Sequence, residues 1–401
     1  MYDPLMNSHP FAERLQRLDA LLAETQWLWR PPPFKELRPA WCERLPELTA
    51  ALLALDDELL AALAADDEAR RVWLRDYLPL VDELAGLVQL PAVGETMPFD
   101  VSPHFGWEIP GRKWTQITSF ASALGCVRAP LLEWCGGKGH LGRLLGMQWQ
   151  QPVVTLELNG TLCEEGARLA QRAHVAQQFR QGDALSQDSA QLLHAHHAVA
   201  LHACGELHRT LLREAVASQV PALDFAPCCY AHLAGDEYHP FSSQTTLRVT
   251  QDDLRLAVTE TVTSSPREVR LRDREMAWKL GFDMLRREVM GIGHYEPIRP
   301  IDKGWLKLDF AGFCRALAMR EGVALPEEIA WDAYEQKGWQ RQHDTQRLTQ
   351  LRHAFRRPLE LWLVLDMAVY LQAHGYEVKL ANFCARSVTP RNILVSARKF
   401  P

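Results

Sequence analysis

The chain has 401 residues, which is more than one hydrophobic core usually fills, so a large domain and an accessory one are expected. Apolar residues make up 47% and charged residues 23%, a composition that excludes disordered, collagen-like and coiled-coil chains. The net charge of −6 leaves no chain-wide basic field, and residues 1–100 carry the acidity, with 18 acidic against 9 basic residues. A polyanion would therefore have to meet the rest of the chain.

Cysteine usage indicates a reducing compartment, and the apolar runs are too short to span a membrane. Nine cysteines are too sparse for a disulfide scaffold, and no CxxC pair has zinc-finger spacing, so no metal is expected. The start of the chain lacks a secretory pattern, and the most apolar late stretch, 359–371, is short and carries Glu360 and Asp366. The sequence thus predicts a cytoplasmic protein with no membrane span.

The N-terminal region has helical periodicity. From Phe11 to about Leu87 apolar residues recur three and four positions apart, with Asp and Glu between them. A stretch rich in turn formers, 91–110, follows. We therefore expect an acidic helical region over residues 1–100.

Beyond residue 100 short apolar runs alternate with helical stretches. The predicted strands are Ala129–Cys135, Val153–Leu158, Ala176–Gln181, Ala198–Cys204, Ala222–Cys228, Glu377–Phe383 and Asn392–Ala397. The predicted helices between them are Leu141–Trp149, Thr161–Ala173, Leu207–Ser218 and Leu359–His374. This alternation predicts an α/β fold with a doubly wound, mostly parallel, Rossmann-like sheet over residues 101–401, interrupted by an insertion at about 231–356.

A glycine-rich turn follows the first predicted strand. Gly137, Gly139 and Gly142 satisfy GxGxxG, and Glu157 at the end of the next strand is placed to accept ribose hydroxyls. Such a turn permits a dinucleotide, which keeps a nicotinamide oxidoreductase open as an alternative.

Glu133, just before that turn, favours a different ligand. An anionic side chain repels a pyrophosphate in a partly desolvated site but attracts an ammonium group. S-adenosylmethionine has an ammonium, a carboxylate for the helix start, a ribose for Glu157 and no phosphate. Asp183, after the third strand, can accept from the adenine amino group. The three carboxylates at successive strand ends therefore predict S-adenosylmethionine as the cofactor.

Several motifs resemble one family. They are Gly111–Ile117, Glu133–Leu141, Leu201–Leu207, Pro227–Tyr230 and Thr389–Ile393. In this order they resemble class I methyltransferases, in the branch that contains acceptor-stem tRNA ribose methyltransferases, methyltransferase-like proteins and the glutathione-S-transferase-C-terminal-domain-containing protein. The resemblance implies an antiparallel last strand in the sheet. Cys135 stands where most of these enzymes have their first glycine, and a residue with negative φ would be compatible with that position.

The motifs and the resemblance together define a predicted cofactor site. Its residues are Lys113, Gln116, Glu133, Cys135, Gly136, Gly137, Gly139, Leu141, Glu157, Leu158, Asp183, Ala184 and His202.

The ends of the fourth and fifth strands border the reacting methyl group in this architecture. His202 or Glu206 is a candidate general base, although a core histidine and a helix-start carboxylate are the plain alternatives. Cys204 or Cys228 would serve as nucleophile in pyrimidine C5 methylation, but buried cysteines of a strand are usually small apolar residues. Tyr230 is a candidate for stacking on a nucleobase.

Basic residues suggest the acceptor. Residues 337–357 contain six basic residues against Asp344 alone, and the last two dozen residues add five more with no acidic one. A solvated helix face is the common explanation, whereas a phosphate backbone is the functional one. Together with the resemblance this predicts an RNA acceptor, in first place tRNA. A protein or small-molecule methyltransferase and a non-catalytic methyltransferase-like scaffold remain alternatives.

Overall fold

The computed structural model describes residues 11–93, 103–106, 108–125, 129–259 and 265–400. Its contacts divide the chain into two compact units. The first, called the sheet unit, comprises Met1–Ala23, Gly86–Glu260 and Arg357–Pro401. The second, called the helical unit, comprises Glu24–Ala85 and Thr261–Arg356. Most of the N-terminal helical region thus packs with most of the insertion.

The sheet unit is built on one seven-stranded sheet with the order β3-β2-β1-β4-β5-β9-β8. The strands are β1 (Leu131–Trp134), β2 (Val153–Glu157), β3 (Gln177–Gln181), β4 (His197–Cys204), β5 (Ala222–Cys228), β8 (Tyr376–Asn382) and β9 (Ile393–Lys399), and a separate hairpin is formed by β6 (Glu237–Tyr238) and β7 (Val249–Thr250). Strands β1 to β5 pair in parallel, while β9 runs antiparallel to β5 and β8. The predicted fold class, including the antiparallel last strand, is confirmed.

The burial of the strands explains why their sequences predicted them so well. Every residue of β1 and β5 is buried, as expected for central strands covered on both faces, and this produces runs that are apolar except for one acidic residue each, Glu133 and Asp224. In the edge strand β8 buried and exposed residues alternate over its first half. The predicted strand ends deviate by only one or two residues from those observed.

The helices are, in chain order, α1 (Phe11–Glu24), α2 (Gln26–Trp29), α3 (Trp41–Arg44), α4 (Pro46–Leu53), α5 (Asp57–Ala65), α6 (Asp67–Leu74), α7 (Leu80–Leu87), α8 (Gly111–Ala123), α9 (His140–Trp149), α10 (Gly160–Arg172), α11 (Gln187–Ala190), α12 (Glu206–Ala217), α13 (Gln251–Val258), α14 (Pro266–Met290), α15 (Phe310–Glu321), α16 (Trp331–His353) and α17 (Arg356–Ala373). Short 3₁₀ turns lie at Pro103–Gly106, Gln191–Leu193 and Lys303–Lys307. Among the described residues no helix is long and apolar enough to cross a membrane.

The helical unit has its core where α14 and α16 approach each other closely. A Cβ on Gly338 would lie 2.4 Å from the carbonyl oxygen of Ala277 and 2.9 Å from the backbone of Gly281, so glycine is required at this crossing. Trp278 and Phe313 pack nearby with their ring centroids 5.3 Å apart. The unit is therefore held by a tight helix pair and an aromatic cluster.

The basic segment 337–357 does not form the solvated cationic face that its sequence suggested. Arg341, Arg347 and Arg356 are between 2% and 8% exposed. Arg341 donates to the fully buried Asp283 at 2.9 Å, and Arg347 donates to the backbone carbonyl of Leu55 at 2.8 Å. The interpretation of this segment as a phosphate-binding surface is corrected, because most of its charge is neutralised inside the helical unit.

Candidate functional site

The carboxyl ends of β1 to β5 meet at one edge of the sheet, which is the usual ligand edge of open α/β folds. Between β1 and α9 the glycine loop, residues 135–139, turns sharply. Gly137 and Gly139 have φ values of 59° and 67°, and Gly139 donates its N–H to the carbonyl of Gly136 at 3.0 Å. The loop thus leads directly into the N-terminus of α9, where backbone N–H groups lack helical partners.

Cys135 corrects one expectation from the sequence. Its φ is 55°, so the backbone keeps the left-handed conformation of the glycine that it replaces, rather than a negative φ. This conformation costs a residue with a side chain roughly 1–2 kcal/mol. The neighbouring contacts of the loop enforce it, since Gly136 donates its N–H to the carbonyl of Leu156 at 3.1 Å.

Glu133 lies beneath the glycine loop with 4% of its surface exposed. Its Oε2 accepts the hydroxyl of Thr155 at 3.0 Å. A Cβ on Gly136 would lie 2.6 Å from the Glu133 Cδ, and a Cβ on Gly142 would lie 2.6 Å from its Oε2. Burial raises the pKa of Glu133 to about 7, against the opposing effects of the Thr155 hydroxyl and the Gly142 amide. The carboxyl group therefore supports the loop and carries a charge that solvent does not screen.

Glu157, at the end of β2, holds the other side of the loop. Its Oε2 accepts the N–H of Gly137 at 2.9 Å, and its Oε1 accepts the N–H of Asn159 at 2.9 Å. A Cβ on Gly137 would have no atom within 4 Å, so the space beside the Cα of this glycine is open. Glu157 thus binds two backbone N–H groups around the loop, and its predicted role at the ribose stays a prediction.

Asp183 follows β3 and is exposed, with its Oδ1 accepting the N–H of Leu185 at 2.9 Å. Leu158 and Leu185 are 66% and 51% exposed, although they are large apolar residues. Ala184 is buried, as is Leu141 in the first turn of α9. Two exposed leucines beside an exposed carboxylate fit a flat, partly polar ligand. The sequence analysis did not include Leu185. Its position directly after Asp183 and Ala184, both predicted at the site, was the available signal.

The start of α8 provides the upstream residues of the predicted site. Lys113 is exposed, and its charge is near enough to oppose the rise in the pKa of Glu133. Gln116 donates its Nε2 to the carbonyl of Val388 at 3.2 Å, and Arg112 donates to the same oxygen at 2.9 Å. The amino end of α8 is thereby tied to the loop before β9.

The ends of β4 and β5 bring three sulfur atoms together. The Sγ atoms of Cys204 and Cys228 are 3.3 Å apart, and with the Sγ of Cys229 all lie within 4.8 Å of one another. Hydrogen bonds from the Cys204 and Cys228 thiols, aided by the charges of His232 and Arg391, lower the pKa of Cys229. Sequence analysis proposed a role for the first two cysteines only, although the adjacent cysteine pair at a strand end was a signal for the third.

The remaining candidate residues occupy different settings. The backbone of His202 belongs to β4, and its side chain lies outside the part of the structure that is described. Glu206 begins α12 and pairs with Arg213 and, at 3.5 Å, with Arg209. These ion pairs fix the direction of its carboxylate.

Tyr230 cannot play the stacking role that its sequence position suggested. It is 1% exposed, and its ring packs edge-to-face on His208 with the centroids 5.8 Å apart. Burial raises the pKa of its hydroxyl well above the ordinary value. The residue that follows the cysteine pair is therefore a core aromatic, and no ring face is open to a nucleobase.

Two cavities lie at different ends of the sheet. One of about 340 Å³ is lined by Cys229, Ala231, His232, Gln251, Arg255 and Val258. A larger one of about 530 Å³ borders Pro130, Pro152 and Ala176, next to the amino ends of β1, β2 and β3. Of these two cavities, the smaller adjoins the carboxyl end of β5, which belongs to the ligand edge of the sheet.

Comparison with known proteins bears on the same region. Residues 112–236 match the sequence profile of a family described as a methyltransferase domain. This range runs from α8 through β5 and contains the glycine loop and the cysteine cluster. No curated protein gives a significant match. The strand order and the profile support a class I methyltransferase domain in the sheet unit.

Two of the solved structures with detectable similarity are described as methyltransferases. An O-methyltransferase family protein from Burkholderia thailandensis has 11% identity and a TM-score of 0.29, covering 83% of this chain and 71% of that one. Coclaurine N-methyltransferase bound to N-methylheliamine and SAH has 12% identity and a TM-score of 0.27, covering 77% of this chain and 90% of that one.

Proposed function

We propose that the protein is an S-adenosylmethionine-dependent methyltransferase whose leading acceptor is RNA. The observation that supports the proposed cofactor is the glycine loop between β1 and α9. Glu133, Glu157 and Asp183 flank this loop at the ends of three adjacent strands. The loop is open above Gly137, where a Cβ would meet no atom within 4 Å. Open space beside the backbone of the loop, with carboxylates held around it, fits a ligand in which a cationic amino acid is linked to a nucleoside.

Each carboxylate has a role in holding this cofactor. Glu157 accepts the ribose hydroxyls, Asp183 accepts the adenine amino group, and Glu133 attracts the ammonium group from below the loop. Leu158 and Leu185 supply apolar contact for the adenine, and Lys113 and Gln116 cover the site from α8. The cofactor supplies the electrophilic methyl group, while the chain aligns it with an acceptor.

The same geometry disfavours a dinucleotide. In this structure the N–H of Gly137 is already directed to the carboxylate of Glu157 at 2.9 Å. A pyrophosphate seeking that N–H would face one carboxylate at the loop and a second, Glu133, beneath it. We therefore favour a methyltransferase over a nicotinamide oxidoreductase.

Proton removal from the acceptor is assigned to the end of β4. Glu206, held by two arginines, and His202 are the groups that we propose for this step. Cys228 is 4% exposed, so covalent attack on a pyrimidine would fall to a more accessible neighbour, Cys204 or Cys229.

The acceptor rests on the motif resemblance. The arginines of 337–357 are engaged inside the helical unit, so they do not support an RNA surface. RNA, and tRNA within it, is proposed because the HxCG, CCY and PRN elements occur in the order found in the tRNA-modifying branch.

The test is transfer of labelled methyl groups to cell fractions from a strain that lacks the gene. We expect label in small RNA, and loss of it in Glu157→Ala. Glu164→Ala is the matched control, since Glu164 is an exposed carboxylate on α10 with only a surface ion pair. Label in protein or small molecules instead of RNA would refute the acceptor, and no transfer to any fraction would favour a non-catalytic scaffold.

A further inference from the structure

The three sulfur atoms at the ends of β4 and β5 form a cluster that methyl transfer to a hydroxyl or a ring nitrogen does not use. Among the described residues, Cys204, Cys228 and Cys229 are the one group of three or more potential metal ligands whose ligand atoms lie within 4.8 Å of one another. We call these three residues the thiol cluster. The sheet creates it, since Cys204 and Cys228 are register partners on neighbouring parallel strands.

The backbone adds the third sulfur. Cys229 has a φ of 47°, a conformation that residues with side chains adopt only when their surroundings hold them there. Its carbonyl accepts the N–H of His232 at 2.9 Å, which fixes the turn after β5. Two consecutive cysteines would point to opposite faces of a regular strand, and this turn instead brings both sulfurs to Cys204.

The spacing suits a thiophilic cation. Zinc–sulfur bonds of about 2.3 Å in tetrahedral geometry place sulfur atoms about 3.8 Å apart. The observed Cys204–Cys228 separation is 3.3 Å, and the three sulfurs together span no more than 4.8 Å. The Cys204–Cys228 separation has to widen by about 0.5 Å and the other two have to change by at most about 1 Å, which is within the reach of side-chain rotation, to bring all three sulfurs into bonding distance of one ion.

The cluster is also accessible on one side. Cys228 is buried, whereas Cys204 and Cys229 are partly exposed. Cys229 and His232 line the cavity of about 340 Å³ described above. An ion held by three sulfurs would thus keep its fourth position towards this cavity, where an imidazole or water completes the coordination.

We propose that the thiol cluster is a binding site for a thiophilic divalent cation of the Zn²⁺ type, with Cys204, Cys228 and Cys229 as ligands. On binding, the thiols become thiolates and their protons pass to solvent. The sequence shows no zinc pattern because the ligands come from the ends of two strands and not from one CxxC loop. This site does not depend on the proposed cofactor or acceptor.

The test is titration of the reduced full-length protein with Cd²⁺, followed by the thiolate-to-metal charge-transfer band in the ultraviolet and by competition with Zn²⁺. We expect one ion per chain. Cys229→Ser and Cys204→Ser should each weaken binding at least about tenfold. Loss of a residue that only hydrogen-bonds to a metal ligand already weakens metal binding by about this factor, and loss of a ligand should weaken it at least as much. Cys384→Ser is the matched control, because this partly exposed cysteine of the sheet unit lies outside the cluster.

A second measurement uses the unaltered chain and removes any dependence on how the variants fold. In differential alkylation read by mass spectrometry, Zn²⁺ should protect all three cysteines of the thiol cluster and leave Cys384 reactive. The proposal is overturned if the reduced protein shows no charge-transfer band, if Cys229→Ser binds Cd²⁺ as tightly as the unaltered chain, or if Zn²⁺ protects none of the three thiols.

Discussion

Glu133 shows how one buried side chain combines a structural and a ligand-directed role. Sequence reasoning predicted it as an attractive charge for an ammonium group. The structure adds that its carboxyl lies under the glycine loop, accepts the Thr155 hydroxyl, and touches the space that a side chain at Gly136 would need. The motif predicted the residue type and its position. The burial that controls its charge depends on the packing of α9 on β1, which the sequence does not show.

The ionisation of Glu133 predicts a pH dependence of cofactor binding. Burial raises its pKa to about 7, and an ammonium ligand favours the ionised form. Between about pH 7.5 and about pH 6 the ionised fraction falls about eightfold, so the affinity for S-adenosylmethionine should fall by the same factor. Calorimetry across this range measures it. Glu133→Gln should bind weakly with no such slope; an unchanged slope would remove Glu133 from the account.

Gly136 is a residue of the loop with no room for a side chain. A Cβ there would lie 2.6 Å from the Glu133 Cδ and 2.6 Å from the Thr155 Cγ2. Gly136→Ala should therefore lower the free energy of unfolding by about 1–3 kcal/mol and abolish cofactor binding. Gly125→Ala is the control, because no atom lies within 4 Å of its Cβ position. Thermal unfolding and calorimetry that show Gly136→Ala behaving like the control would contradict the loop geometry.

At the scale of elements, strands were easier to predict than the insertion. The central strands are mostly apolar because helices cover both faces, and they are bounded by turns. In the helical unit the pattern was obscured, because α14 and α16 bury arginines and Asp283, which a periodicity argument assigns to the surface. The β6–β7 hairpin has two residues per strand, too few to leave an alternation.

A buried charge network joins three strands of the sheet. Asp224 on β5 is fully buried; it accepts from His197 on β4 at 2.5 Å and from Arg398 on β9 at 2.8 Å. Burial alone would raise its pKa, but the hydrogen bond and charge of His197, with Arg398, prevail and lower it. Its contribution to stability is therefore present above the ordinary pKa of 3.8 and is lost as the pH falls through the lowered value.

Replacing Asp224 should destabilise the sheet unit. Asp224→Asn removes the charge that both partners require and should cost about 3 kcal/mol in the free energy of unfolding at neutral pH. Glu377→Gln on β8 is the control, since its ion pair with Lys379 is exposed and should contribute little. Urea unfolding measures both. Equal stability of the two variants would show that the network does not stabilise the sheet.

At the scale of the whole molecule, the distribution of charge along the sequence led to a wrong interpretation of the basic segment 337–357. The acidic excess of residues 1–100 and the basic run at 337–357 looked like separate features. The structure places most of both in one helical unit, where Arg347 pairs with Asp57 at 2.7 Å and Arg356 with Asp67 at 3.2 Å. Linear sequence cannot show such pairing because the partners are far apart along the chain. The domain borders near residues 100 and 231 stay predictions.

This pairing predicts that Arg341 stabilises the fold and does not bind RNA. Arg341→Gln removes a 2.9 Å hydrogen bond to the buried carboxylate of Asp283 and should cost about 2 kcal/mol in the free energy of unfolding. Lys337→Gln, at an exposed position of the same helix, should leave stability unchanged. Unfolding curves and RNA filter binding test both variants. A large loss of RNA affinity in either, with stability intact, would restore the phosphate-binding interpretation.

The central claim is that the glycine loop and its carboxylates accept a cationic nucleoside and reject a diphosphate. The most direct measurement is calorimetric titration of the whole chain with S-adenosylmethionine, S-adenosylhomocysteine and NAD. We predict binding of the first two, no binding of NAD, and loss of binding in Glu157→Ala but not in Glu164→Ala. Binding of NAD, or no heat with either sulfur nucleoside, would contradict it.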